Sequence, residues 1–127
     1  QLMNAPVERI AIENPISCIS SEIRRPDCIV QPWWFGDEVS KATCFWLKNL
    51  PALRHTKTVS KGLFHEWIDK NGKKKRHPKW MWDVLLNAKT HEERRTLRSK
   101  TFQGMADAIA DQWGAAMTSH PVQLRLF

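Results

Sequence analysis

Glu13 is the side chain in this sequence best placed to do chemistry. It ends the apolar run Ile10-Ala11-Ile12 and is followed by Asn14 and Pro15. Apolar residues bounded by a breaker read as a buried strand. Pro15 has no N–H and biases Asn14 toward extended backbone, so the strand is expected to stop there. A carboxylate is thereby fixed at the carboxyl end of a core strand, where open α/β sheets bind their ligands. Such a group either meets a polar ligand or is structural, capping a helix or pairing with Arg24 or Arg25. Residue pattern alone favours the structural role.

The second chemical feature is charge. From Arg54 to Lys100 there are fourteen Lys or Arg against five Asp or Glu, a balance of +9 within a net charge of +7. Basicity confined to one block implies a surface facing a polyanion, and interleaved tryptophans favour nucleic acid over a merely solvated face. Inside the block, Asn71-Gly72 is a strong hairpin signal, with both residues tolerant of positive φ. It joins Leu63–Asp69 to Lys74–His77, giving a projecting basic ribbon thin enough for a DNA major groove. Lys73, Lys74, Lys75, Arg76 and Lys79 are its candidate phosphate contacts. Trp80 is a candidate stacking surface, although a small domain also needs aromatic core.

The other reactive residue types form no site. His55, His65, His77, His91 and His120 make no ligand set. Cys18, Cys28 and Cys44 match no zinc spacing and read as small buried hydrophobes. An odd cysteine count without a secretory signal suits a reducing compartment. No apolar run is long enough to cross a bilayer, so no membrane partner is expected.

The elements that must hold these groups follow in order. Gln1–Ala5 reads as the last turn of a helix already under way, and the chain as the carboxyl-terminal part of something longer. The core strands are residues 7–13 and 42–47. About thirty residues separate them, enough for a crossover, so a parallel pair is expected. Cys28–Gln31 is a short strand, and Trp33-Trp34 points one ring each way. Asp83–Asn87 reads as one helical turn, and Thr90 caps a short helix with Glu92 and Glu93 in its first turn. Thr101 begins the clearest helix, with Phe102, Met105, Ile109 and Trp113 as one apolar stripe, ending near Gly114. The fold class is α/β: residues 1–53 form a partial Rossmann-like sheet, 54–97 a basic hairpin insertion, 98–117 a closing helix and 118–127 a flexible tail.

That tail ends in Gln123-Leu124-Arg125-Leu126-Phe127. It resembles the clamp-binding motif of bacterial replication and repair proteins, Gln-Leu-x-Leu-Phe. Gln123, Leu124, Leu126 and Phe127 would then engage the bacterial sliding clamp, apolar side chains filling pockets and the amide fixing register. The alternative is a tail packed on its own domain.

Glu13-Asn14-Pro15, the strand Lys41–Lys48, the segment Trp67–Lys73 and the stretch Arg98–Gly104 together resemble the carboxyl-terminal portion of a phage and prophage family described as DNA cytosine methyltransferases. These are small relatives of the cytosine-5 enzymes. The resemblance spans Asn4 to Gly114. It implies that Glu13 and Asn14 match a Glu-Asn-Val motif whose glutamate contacts the flipped cytosine, with Pro15 in place of valine. It implies that Lys41 is the one cation kept from a Gln-x-Arg-x-Arg segment, and that Gly104 lines a cofactor pocket for S-adenosylmethionine. Its implied partner is double-stranded DNA in the cytoplasm of a bacterial host cell. The Pro-Cys nucleophile and the glycine-rich cofactor loop of such enzymes are not in this sequence. A complete site would need them from a missing amino-terminal half, unless the chain is a non-catalytic binding module.

Overall fold

The sheet is built around its third strand. In this computed structural model, which describes residues 2–16 and 19–118 with the side chains of 19, 20 and 116–118 left aside, β1 spans Ile10–Pro15 and β2 Cys28–Val30. The third strand, β3, spans Thr43–Lys48 and lies between them, antiparallel to both. Phe45 is the register partner of Glu13 on one side and of Cys28 on the other. The expected parallel pairing of the two long strands is therefore corrected: they are antiparallel. The crossover length is spent on β2, which runs in the direction of β1, and the chain then turns back to insert β3 between them. The short helix α1, Ile19–Glu22, sits in the β1–β2 connection.

The first strand is also displaced from its expected span of residues 7–13. Pro15 lies inside the ladder, opposite Thr43. Proline is tolerated because β1 is an edge strand with one partner, and the missing N–H can face away from it. Glu13 consequently stands two residues short of the strand end. Trp33 and Trp34 are not on a strand at all, because Pro32–Trp34 form a single 3-10 turn.

One face of the sheet is covered by α4, Gln103–Thr118. Its stripe buries Met105, Ala108 and Trp113 against Val30, Phe35, Phe45 and Leu53, with Ile109 packed beside them. Trp113 meets the Phe45 ring edge-on at a centroid distance of 5.3 Å, and its indole N–H donates to the Pro51 carbonyl at 2.8 Å. Edge-to-face contacts of this kind add about 0.5–1.5 kcal/mol to area burial. Thr101 does not begin this helix. The Asp37 carboxylate instead receives the Gly104 N–H at 2.8 Å, near the helix N-terminus.

The basic block forms a second unit. Strands β4, Phe64–Ile68, and β5, Lys74–Pro78, make the expected antiparallel hairpin. Its turn differs in mechanism. Only Gly72 has positive φ (76°), while the Asp69 carboxylate accepts from the N–H groups of Asn71 and Lys73, both at 2.9 Å. A three-residue loop with an αL glycine is the common alternative to a two-residue turn. Helix α2, Lys79–Asn87, leaves the hairpin directly and is nine residues long where one turn over Asp83–Asn87 is expected, carrying both Trp80 and Trp82. Helix α3, His91–Arg98, is capped as expected, with Thr90 Oγ1 accepting from Glu93 N–H at 3.0 Å. Among the described residues no helix is long and apolar enough to cross a membrane.

The two glycines of α4 make a test of this packing. A Cβ on Gly104 would sit 2.0 Å from the Phe35 carbonyl oxygen, whereas one on Gly114 would meet nothing within 4 Å. Gly104→Ala should destabilise the protein by about 1–3 kcal/mol or more, and Gly114→Ala should stabilise it by up to about 1 kcal/mol. Thermal or denaturant unfolding of the two variants checks the opposite signs.

Candidate functional site

Antiparallel register puts directly opposed residues on the same face. Ala11, Glu13, Thr43, Phe45 and Leu47 therefore share the face that α4 covers. At the N-terminal end of α4 the cover is incomplete. A cavity of about 120 Å³ opens there, lined by Glu13, Lys41, Thr43, Phe45, Lys100, Thr101, Phe102, Met105 and Ile109. Glu13 and Lys41, singled out separately in the sequence, meet at this cavity.

Each is positioned by its element. Glu13 is exposed at the rim, held by the β1–β3 ladder. Lys41 is set just before β3 by side chains gripping its backbone. Its N–H donates to Gln31 Oε1 at 2.8 Å, and its carbonyl accepts from Thr43 Oγ1 at 3.0 Å. Its ammonium donates to the Lys100 carbonyl at 2.7 Å. Burial pushes the Lys41 amine below its ordinary range, and the nearby Glu13 carboxylate works against that shift. The cavity thus offers an acceptor and a donor beside the aromatic rings of Phe45 and Phe102. That combination suits a flat heterocycle with hydrogen-bonding groups on its edge.

The remaining candidates are distributed differently. Asn14 follows Glu13 on the strand, so its side chain takes the opposite face and does not line the cavity. Gly104 adjoins the cavity-lining Met105, but its N–H is given to Asp37 and its Cα faces the Phe35 carbonyl. Neither group is left over to hold S-adenosylmethionine, and close helix–loop packing accounts for the glycine. Gln123, Leu124, Leu126 and Phe127 lie outside the described residues. Cys28 is half-buried, with burial pushing its thiol up, and Cys44 is fully buried. Cys18 lies outside the described residues.

The pleat divides the basic hairpin. Lys74 and Arg76 share a face with Phe64, Glu66 and Ile68; Lys75 and His77 take the other with His65 and Trp67. On the first face Lys74 Nζ lies 3.1 Å from Glu66, and the Arg76 guanidinium sits 4.4 Å over the Phe64 ring. On the second, His65 stacks on Trp82 of α2 at 4.4 Å, fastening the helix to the ribbon. Lys79 is paired with Asp83 at 2.6 Å. Lys73 and Lys75 are exposed, without an ion pair among the described residues.

Trp80 is not an open stacking surface. It is half-buried, its indole N–H donates to the Ser40 carbonyl at 2.9 Å, and its ring meets Phe102 edge-on at 5.8 Å. Lys41 Nζ stands 6.0 Å from its centroid. Trp80 therefore joins the hairpin–α2 unit to the wall of the Glu13–Lys41 cavity. Sequence reasoning missed Lys100, whose backbone carbonyl does the binding and leaves no side-chain signal. It also missed Asp37, legible only as an unassigned acid in a loop.

Comparison with protein-family models, with curated proteins and with solved structures found no match.

Glu13→Gln should move the Lys41 amine further down, because it removes the carboxylate that supports the charged form. A pH titration of the lysine side-chain NMR signals checks the direction. Burial places the folded amine below its unfolded value, so the unfolded chain binds more protons between the two. Stability therefore rises with pH across that alkaline window, and more steeply in the Gln variant.

Proposed function

We propose that the chain is the DNA-binding, carboxyl-terminal portion of a cytosine-5-type DNA methyltransferase. The observation that carries this reading is the meeting of Glu13 and Lys41 at one cavity walled by Phe45 and Phe102. A cytosine presents an amine donor and ring acceptors on one edge. Glu13 would accept from the exocyclic amine and Lys41 would donate to a ring acceptor, with the aromatic rings flanking the base. Thymine would set a carbonyl against Glu13. The base must leave the helix to reach the cavity, and the basic hairpin would hold the duplex meanwhile.

The sheet gives coarser support. It is mixed α/β, with β1 and β2 running in one direction through a connection that contains α1. The intervening β3 is antiparallel to both, so the support reaches only to a mixed α/β fold, and a partial Rossmann-like core is itself part of the proposal. Methyl transfer from S-adenosylmethionine would need a glycine-rich cofactor loop and a Pro-Cys nucleophile that this sequence does not supply. In this reading they come from an amino-terminal half, and the present residues bind and orient the base only. The setting would be the cytoplasm of a bacterial host cell, where the DNA is.

The cavity reading is tested with short duplexes carrying one unpaired base. Unpaired cytosine should bind about tenfold or more tighter than unpaired thymine, since a good edge contact is worth about 1–3 kcal/mol. Glu13→Gln should remove most of that preference while leaving binding to fully paired DNA in place. Equal affinity for the two bases in the parent protein would overturn the assignment.

The Gln123–Phe127 pentapeptide favours a second reading, a non-catalytic phage module that docks on the bacterial sliding clamp. A clamp pull-down comparing the intact chain with one lacking Phe127 decides it, and equal retention would sink it.

A further inference from the structure

Lys74 and Arg76 are engaged within the hairpin, and the segment leading to it carries a further set of cations. Residues 54–61, Arg-His-Thr-Lys-Thr-Val-Ser-Lys, contain three Lys or Arg and no acid. Arg54, Lys57 and Lys61 are exposed, and none has an ion pair among the described residues. The segment has no helix or strand of its own, only an isolated parallel bridge from Lys57 to Phe35.

It is nevertheless fixed at intervals along its length. The Arg54 N–H donates to Gln112 Oε1 and the Arg54 carbonyl accepts from Gln112 Nε2, both at 2.8 Å. The N–H groups of Thr56 and Lys57 donate to the Trp34 carbonyl at 3.1 Å, and that of Val59 to the Trp33 carbonyl at 2.9 Å. The Lys61 carbonyl accepts from Ser40 Oγ at 2.7 Å. Side chains are fixed as well. His55 stacks on Trp34 at 4.0 Å, the Lys57 stem crosses Gly36, and Lys61 Nζ lies 5.4 Å from the Trp33 centroid. A solvated loop does not need this. Ordering backbone costs about 1–2 kcal/mol per residue, and here that cost is met in advance to present three cations along one extended path.

We propose that Arg54, Lys57 and Lys61 form a phosphate-contact strip, separate from the hairpin, that takes the phosphodiester backbone of a nucleic acid. The proposal rests on the nucleic-acid-binding part of the function proposed above. No carboxylate forms an ion pair with the strip among the described residues; Glu38, exposed where its backbone meets Gly62 beside Lys61, is the acid in that neighbourhood. Contacts to phosphate carry no base information, so the strip fixes register on the strand while selectivity lies elsewhere.

The test measures affinity against salt for the whole chain, using two unrelated duplexes and one single strand. The parent is compared with Arg54→Gln/Lys57→Gln/Lys61→Gln and with Lys73→Gln/Lys75→Gln. The triple variant should lower the log–log salt slope by about 3 on duplex and about 2 on single strand, equally for both duplex sequences. On duplex, raising salt from 50 to 200 mM should then cost it roughly fortyfold less affinity than it costs the parent. The single variant Lys57→Gln should lower the slope by about 1, a readout that survives if the triple variant folds poorly. An unchanged slope in the triple and single variants, with the loss confined to Lys73→Gln/Lys75→Gln, would overturn the strip and leave the hairpin as the DNA contact. Failure of the parent to bind any of the three ligands would overturn both the strip and the reading beneath it.

Discussion

Phe45 is the point where both ladders and the closing helix meet. Its backbone is in register with Glu13 on one side and Cys28 on the other, and its carbonyl also accepts the Asp27 N–H at 2.8 Å. Its ring is packed edge-on by Trp113 and forms one wall of the cavity beside Glu13 and Lys41. A small core can tolerate little slack at such a position, because truncating a buried phenylalanine typically costs about 3–5 kcal/mol. The same side chain that closes the core shapes the recess at its edge. Stability and the candidate site are therefore not separable on this face of the sheet.

Charge is distributed by the same geometry. The sequence clusters its Lys and Arg in one block, but a strand pleat sends alternate side chains to opposite faces. Some cations are then spent locally, on Glu66, Asp83 or the Phe64 ring. Exposed cations of the block without an ion pair among the described residues fall along residues 54–61, in and beside the hairpin turn, and in and around α3 at Lys89, Arg95, Arg98 and Lys100. Local charge density in the chain is thus a poor map of potential at the surface, and the fold redraws it.

What could be read from the sequence followed from short-range rules. Asn71-Gly72 marked the hairpin, Thr90 with Glu92 and Glu93 marked a helix start, and the spacing of Met105, Ile109 and Trp113 marked the face that packs on the sheet. Glu13 and Lys41 were each picked out, but their meeting depends on strand order, which residue periodicity does not encode. The parallel pairing of the long strands failed for that reason. A connection of the right length can equally carry a short strand in between, and β2 is only Cys28–Val30. The packing of Trp80 was not legible because an aromatic residue among cations looks the same whether its indole N–H meets solvent or, as here, the Ser40 carbonyl.

The position of Trp80 has a thermodynamic consequence. It belongs to the helix that grows out of the hairpin, yet it touches Phe102 and stands beneath the Lys41 ammonium. Occupancy of the ribbon and occupancy of the cavity then share one mechanical part. If a ligand on either shifts Trp80, the free energy of that shift enters both binding equilibria, and linkage requires the effect to be reciprocal. Whatever factor a ligand in the cavity applies to binding at the hairpin, a ligand at the hairpin applies to binding in the cavity.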